Sequence, residues 1–280
     1  MATRDFWRAT GRRIRRWLPF ISAISTLLAL IVPVYNLAFK EPEPIVLTDS
    51  TPLGTHKTVP LPDGSTLDLN SASRANIVFT SKQRAVTLES GEGVFDVKRD
   101  PRRPFIVAAG SLIIQVLGTK FDIREGVINP HSREKGTRVA VLAGTVSIAQ
   151  SGSTSPQAPV SVSAGYEIEI PDDATKDRSL RLIAEPETRR MTAWEGGKIE
   201  IDNEPLSNVL AELSRYDPLL IDTTDQQLLN MPLTLTISTN NAASEFLQDM
   251  RRMCIQSKYI EPQHAILSRT PGKHPGGMCP

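Results

Sequence analysis

Hydrophobic positions along the chain fall into three regimes. The first is an unbroken run: residues 18–39 contain no charged side chain over 22 positions. At about 1.5 Å per residue such a segment spans a hydrocarbon core of roughly 30 Å, and it lacks the polar stripe of a buried globular helix, so it predicts a single transmembrane helix. The second regime, residues 58–170, alternates with period two. Leu67 and Leu69, Ile77 and Phe79, Val86 and Leu88, Phe105 and Val107, and Leu112, Ile114 and Val116 set the pattern; Phe121 and Ile123, Val139 and Val141, Val146 and Ile148, and Ile168 and Ile170 continue it. Turn signals separate the runs, among them Pro62-Asp63-Gly64, Ser90-Gly91-Glu92-Gly93 and Ala143-Gly144. Short strands at this spacing predict an all-β domain, and a sandwich, a barrel or a solenoid fits the alternation equally well.

The third regime begins at Trp194. Residues 198–201 read as a strand. Asn203 is placed to cap a helix with Glu204 and Pro205 in its first turn, and Leu206, Val209, Leu210 and Leu213 follow helical spacing. Residues 219–222 are a short strand, and Leu233, Leu235 and Ile237 a further one. Asn240 or Asn241 then caps a second helix with Ala243, Phe246, Leu247 and Met250 on one face, before strands at 258–260 and 265–267. The two halves repeat about 36–37 residues apart, as a βαβ-βαβ module with both helices against a sheet.

The organisation expected is therefore mainly β with an α+β module. A short basic segment covers 1–17, the transmembrane helix 18–39, a proline-bearing linker 40–57 and the all-β domain 58–170. A second linker covers 171–193, the α+β module 194–269 and a disordered tail 270–280. Residues 126–135 and 150–159 read as exposed loops.

Net charge is +1, but it is unevenly spread. Arg4, Arg8, Arg12, Arg13, Arg15 and Arg16 precede the apolar run with Asp5 as the one acid, giving +5; the remainder carries 26 basic and 30 acidic residues, giving −4. The positive-inside rule puts the N-terminus in the cytoplasm and the body of the chain outside. Residues 34–38 offer no small-x-small cleavage site, so the run reads as an uncleaved anchor. This balance excludes a polycationic nucleic-acid binder.

Candidate chemistry is sparse. His56, His131, His264 and His274 are scattered without paired-ligand spacing, and no GxSxG, Walker or dinucleotide fingerprint occurs. Asp63, Asp68, Glu89 and Glu92 are dispersed acids. No catalytic, cofactor-binding or metal-ligating residue is assigned, and the chain is not expected to be an enzyme. Cys254 and Cys279 could pair in an exported compartment, or Cys254 could be a buried free thiol. Trp194 reads as a packing residue at a module junction.

Four blocks of the middle segment resemble the periplasmic domain of FecR-type anti-sigma regulators. Leu61-Pro62-Asp63-Gly64-Ser65 leads into Leu67-Asp68-Leu69-Asn70 and Ser73. Val86-Thr87-Leu88 leads into Gly91-Glu92-Gly93-Val94-Phe95-Asp96-Val97 and Arg103-Pro104-Phe105-Ile106-Val107. The third block is Val116-Leu117-Gly118-Thr119-Lys120-Phe121-Asp122-Ile123, and the fourth spans 139–148. These read as fold-forming residues, with Pro62, Gly64, Gly91 and Gly93 serving turns or bulges and Pro104 a strand start. The C-terminal layout resembles the short N-terminal signalling domain of secretins and TonB-dependent receptors. Trp194-Glu195-Gly196-Gly197-Lys198-Ile199, Asn203-Glu204-Pro205-Leu206 and Arg215-Tyr216-Asp217 carry that likeness.

The resemblance implies a single-pass protein of the bacterial inner membrane. Its periplasmic body would sense an outer-membrane TonB-dependent receptor and regulate an extracytoplasmic-function sigma factor, as in iron-uptake regulation. The implied partners are the receptor's periplasmic signalling domain, contacted through residues 194–269, the inner membrane, and a sigma factor directly or through another protein. No nucleic acid or cofactor is implied. FecR-type proteins usually carry a helical sigma-binding region before the span, where this sequence has residues 1–17. A membrane-anchored envelope assembly module without sigma-factor control is the alternative expectation.

Overall fold

The computed structural model describes residues 42–128, 135–151, 158–172, 179–182 and 190–270, together with residues 29 and 31. The rest of the apolar run 18–39, the basic segment before it and the tail from 271 lie outside the described residues. Among the described residues no helix is long and apolar enough to cross a membrane.

Fourteen strands precede residue 190 among the described residues. They are β1 (Ile45–Ser50), β2 (Lys57–Pro60), β3 (Thr66–Leu69), β4 (Arg74–Phe79), β5 (Arg84–Ser90), β6 (Glu92–Asp96) and β7 (Phe105–Ala109), then β8 (Leu112–Val116), β9 (Lys120–Ile128), β10 (Lys135–Ala143), β11 (Thr145–Gln150), β12 (Val160–Ser163), β13 (Tyr166–Pro171) and β14 (Ser179–Leu182). They form two seven-stranded sheets, ordered β1-β4-β5-β7-β8-β11-β12 and β14-β13-β10-β9-β6-β3-β2. Pairing is antiparallel except between β5 and β7. The inward residues of both sheets make one core, in which Phe95 stacks on Phe121 at 5.1 Å and meets Phe105 edge-on. The period-two pattern thus resolves as a sandwich, because each sheet buries one face against the other.

Two stretches read as linkers contain strands. β1 pairs along its length with β4, from Ile45↔Phe79 to Ser50↔Arg74, and β14 pairs with β13. The prolines at 42, 44 and 52 masked β1, yet they flank it and leave its amide donors intact. At the β5–β6 corner Gly91 takes φ +88°, and a Cβ there would lie 2.2 Å from Ser73 Oγ. Only glycine fits that turn.

The C-terminal module comprises a 3-10 turn (Ala193–Gly196), β15 (Lys198–Pro205), α1 (Leu206–Leu213), β16 (Leu220–Asp222), α2 (Gln226–Leu229), β17 (Pro232–Ser238), α3 (Ala242–Arg252), β18 (Ile255–Glu261) and β19 (His264–Arg269). The strands divide into a pair, β15-β17, and a three-stranded sheet, β16-β19-β18. Leu206, Val209 and Leu213 of α1 and Phe246, Leu247 and Met250 of α3 fill one core with residues of both sheets. The βαβ-βαβ reading holds with two amendments. There are two sheets rather than one, and the short helix α2 is added, capped by Asp225, whose Oδ1 accepts from the backbone amides of Gln227 and Leu228.

Asn203 does not cap α1. It sits within β15 at φ +54°, where the register with β17 shifts between Ile201 and Glu204, and Pro205 occupies the cap position. Asn241 does precede α3, without a side-chain cap bond; Glu245 instead accepts from the Ser238 amide at 2.7 Å.

Candidate functional site

An exposed sheet face would be expected to carry solvated side chains, but the outer face of the second sheet does not. Alternation puts Leu67, Phe95, Phe121, Val139 and Ile168 inward, so their neighbours point outward. Registers align Asp68, Val94, Asp122, Ala140 and Glu167 in one row across β3, β6, β9, β10 and β13, with Glu92, Arg124, Arg138 and Glu169 in the next. Val94, Asp122 and Ala140 have no exposed surface, and Glu92 is 1% exposed. The C-terminal module covers them, and Val94 joins the module's hydrophobic core beside Trp194, Val209 and Tyr216.

The junction is polar and ion-paired. Arg215, just past the end of α1, places Nη2 at 2.5 Å from Glu92 Oε2 and Nη1 at 2.7 Å from Glu212. Arg124 meets Glu212 at 2.8 Å. Asn70 Nδ2 donates to Glu92 Oε2 at 2.6 Å and to the Tyr216 hydroxyl at 2.8 Å. Ser71 Oγ donates to the Arg215 carbonyl. His56 meets the Trp194 ring edge-on at 6.4 Å. The close approach also demands Gly54, where a Cβ would stand 2.6 Å from the Tyr216 carbonyl oxygen. A cavity of about 420 Å³ opens beside this contact, lined by Glu92, Arg138, Trp194, Ile201, Val209 and Tyr216 among others.

Electrostatics divide the buried carboxyls. Burial disfavours the Glu92 carboxylate, but Arg215, Arg124 and Arg138 outweigh that and hold it below the usual range. Glu212 is likewise opposed by burial, yet Arg124 and Arg215 bring it to about 2. Asp122 goes the other way. Burial, then the charge on Glu92, push it up to about 8, with Arg138 only partly compensating. Its Oδ2 lies 3.3 Å from Arg138 Nη2, which is also 3.3 Å from Glu92 Oε1, and its Oδ1 has no hydrogen-bond partner in the structure. Burial and the Glu212 charge also raise the Tyr216 phenol.

The residues named from sequence scatter. Asp63 pairs with Arg84, whose side chain is wholly buried; this ion pair lies inside the sandwich, away from the junction. Glu89 pairs with Arg74, and Asp68 accepts from Thr58. His264 meets Asp222 at 2.9 Å, while His131 and His274 lie outside the described residues. Among the described residues no cluster of His, Cys, Asp and Glu could hold a metal ion. Cys254 is not a free thiol, and Cys279 lies outside the described residues. Trp194 is 3% exposed and packs at the junction. Asn70, Glu92, Asp122, Arg215 and Tyr216 all stand in the sequence blocks quoted above. Their meeting was hidden because more than a hundred residues separate Glu92 from Arg215.

The fold agrees with what the chain is similar to. Residues 48–147 match the family model described as FecR protein, which bears out the resemblance read from the four blocks over that stretch. Two crystal structures of a candidate anti-sigma factor from Parabacteroides distasonis ATCC 8503 share the fold. One superposes with a TM-score of 0.61 over 81% of this chain and 100% of its own, the other with 0.62 over 80% and 99%; each is 23% identical. No curated protein matches the chain.

Proposed function

We propose that the chain is a membrane-anchored, exported signal-relay protein that takes part in regulating a sigma factor. One observation carries the reading: a FecR domain buries its charged outer face under a second module that is joined to it by ion pairs and hydrogen bonds. An ionic junction of this kind can be weakened by competing contacts, which suits a signal that must be passed on. The apolar run 18–39 and the arginines before it support single-pass insertion in the bacterial inner membrane, with the body in the periplasm.

The input partner proposed is the periplasmic signalling domain of an outer-membrane TonB-dependent receptor. The C-terminal module offers it an open strand edge. β18 ends the three-stranded sheet, with Tyr259 54% and Ile260 49% exposed, and an added strand could pair there. The output is control of an extracytoplasmic-function sigma factor, directly or through another protein, as in iron-uptake regulation. No enzymatic step is assigned.

Deleting the gene in its native host and restoring it should change, then recover, transcription from a promoter of a neighbouring sigma factor. Unchanged transcription under every inducing condition overturns sigma-factor control. Loss of receptor dependence alone, with sigma control intact, overturns only the input partner. A periplasm-active reporter fused after residue 45 should be active, and its inactivity, with a cytoplasm-active reporter active at the same position, would reverse the topology.

A further inference from the structure

Two buried carboxyls of the outer sheet face share one guanidinium, and that arrangement has consequences for how firmly the C-terminal module is held. Arg138 Nη2 stands 3.3 Å from both Glu92 Oε1 and Asp122 Oδ2, at the long end of hydrogen-bond range. Arg138 Nε and Asp122 Oδ1 are both buried without a partner. Glu92 is also hydrogen-bonded by Arg215 and Asn70, whereas the hydrogen bond to Asp122 comes from Arg138, with Arg124 acting on it through charge alone.

We propose that Asp122 is a proton-operated latch for the docking of the C-terminal module: one proton between Asp122 and Glu92 permits close docking, and its loss favours lifting of the module.

The groups facing Asp122 come from each neighbouring element. β6 brings Glu92, β10 brings Arg138, β13 brings Glu167, and Arg124 is on β9 itself. α1 and the turn after it bring Glu212, Arg215 and Tyr216. Docked, Asp122 keeps its proton up to about pH 8. Lifted, the face regains water and the carboxyl returns toward its ordinary 3.8. Between those values the docked state holds one proton more than the lifted state, so docking weakens as pH rises, by about tenfold per unit. Above about 8 both states are ionised and the dependence ends. Glu92 and Glu212 act in the opposite sense. Their docked values are depressed, so their contribution is complete above the ordinary carboxylate range and is lost as pH falls from there through the depressed values. Docking is therefore strongest in mild acid and falls by about a hundredfold between pH 5 and 7. This property belongs to the chain and does not depend on which partner the module meets.

The test uses the full chain in lipid nanodiscs. Hydrogen exchange over residues 206–216, corrected for intrinsic rate, reports docking from pH 5 to 8. Trp194 emission in a W7F/W17F/H56Q background, which removes the imidazole beside the ring, reports it independently. Protection should fall across this range in the wild type and fall much less steeply in Asp122→Asn, where Glu195, raised by burial at the same junction, is the acid left to oppose docking as pH rises. Glu92→Gln removes the like charge and should move the upper end of the range below 8. Level protection in the wild type overturns the latch, as does an unchanged slope in Asp122→Asn. Should Asp122→Asn fail to fold, infrared titration of the wild type decides. A buried protonated carboxyl must lose its C=O band well above the ordinary carboxylate range, and absence of that band at pH 6 overturns the proposal.

Discussion

Arg215 Nη2 lies 2.5 Å from Glu92 Oε2 although 123 residues separate the two. The contact joins the turn after α1 to the outer face of β6, and with the Arg124–Glu212 and Asn70–Tyr216 contacts it ties the C-terminal module to the sandwich. The other arm of the guanidinium holds Glu212 at 2.7 Å, and Glu212 in turn holds Arg124.

Removing Arg215 leaves Glu92 buried without its strongest counter-charge. Arg215→Ala is expected to cost about 3–5 kcal/mol of stability, the usual scale for stripping one partner from a buried pair. Arg215→Lys should recover only part of this, since an ammonium cannot span Glu92 and Glu212 as the planar fork does. Denaturant unfolding measures both. Hydrogen exchange should show the loss concentrated at the junction and the sandwich core unaffected.

The Arg84–Asp63 pair makes a contrasting prediction. Arg84 is wholly buried, 2.7 Å from Asp63, and also donates to the Lys98 and Arg103 carbonyls. Arg84→Ala should destabilise the sandwich by about 3–5 kcal/mol without selectively exposing the junction. Burial opposes ionisation of Asp63, but the hydrogen bond from Arg84 and those from Ser65 depress it below 3.8. Its contribution is thus complete above the ordinary carboxylate range and is lost as pH falls through the depressed value. Acid unfolding of Asp63→Asn should accordingly show a smaller drop in stability below pH 4 than the wild type.

Gly91→Ala should be among the most damaging small substitutions. The left-handed backbone alone costs about 1–3 kcal/mol, and the new Cβ would overlap Ser73. Thermal unfolding of Gly91→Ala beside Gly165→Ala separates the two effects. Gly165 has a similar φ of +85° but open space around it, so it should suffer only the backbone cost.

Cys254 should resist alkylation in the native chain without reductant, and mass spectrometry should show uptake at Cys254 only after reduction and unfolding. With Cys279 as the only other cysteine of the chain, the expected product is an intramolecular disulfide. Two labelled thiols before reduction would exclude it.

Alternation of Leu67, Phe95, Phe121 and Val139 with charged neighbours was enough to assign the β domain, because a strand side-chain period of two is local information. The helical faces of α1 and α3 were legible for the same reason. β1 and β14 escaped because edge strands need less hydrophobic patterning, being held by pairing to β4 and β13 rather than by a continuous core face. Asn203 was misplaced because a bulge in β15 and a helix cap both favour the same residue type, and only pairing with β17 distinguishes them.

Local sequence carries the apolar run, the charge asymmetry, the strand and helix periods and the order of the modules. All of these follow from propensity and burial within a few residues of each position. Tertiary structure alone decided that the sandwich's charged outer face is an interior surface. Glu92, Asp122 and Arg138 are ordinary outward strand residues until the C-terminal module removes water from them. Only then do burial and mutual charge separate their proton affinities, since electrostatic energies depend on neighbours brought together by folding rather than by sequence.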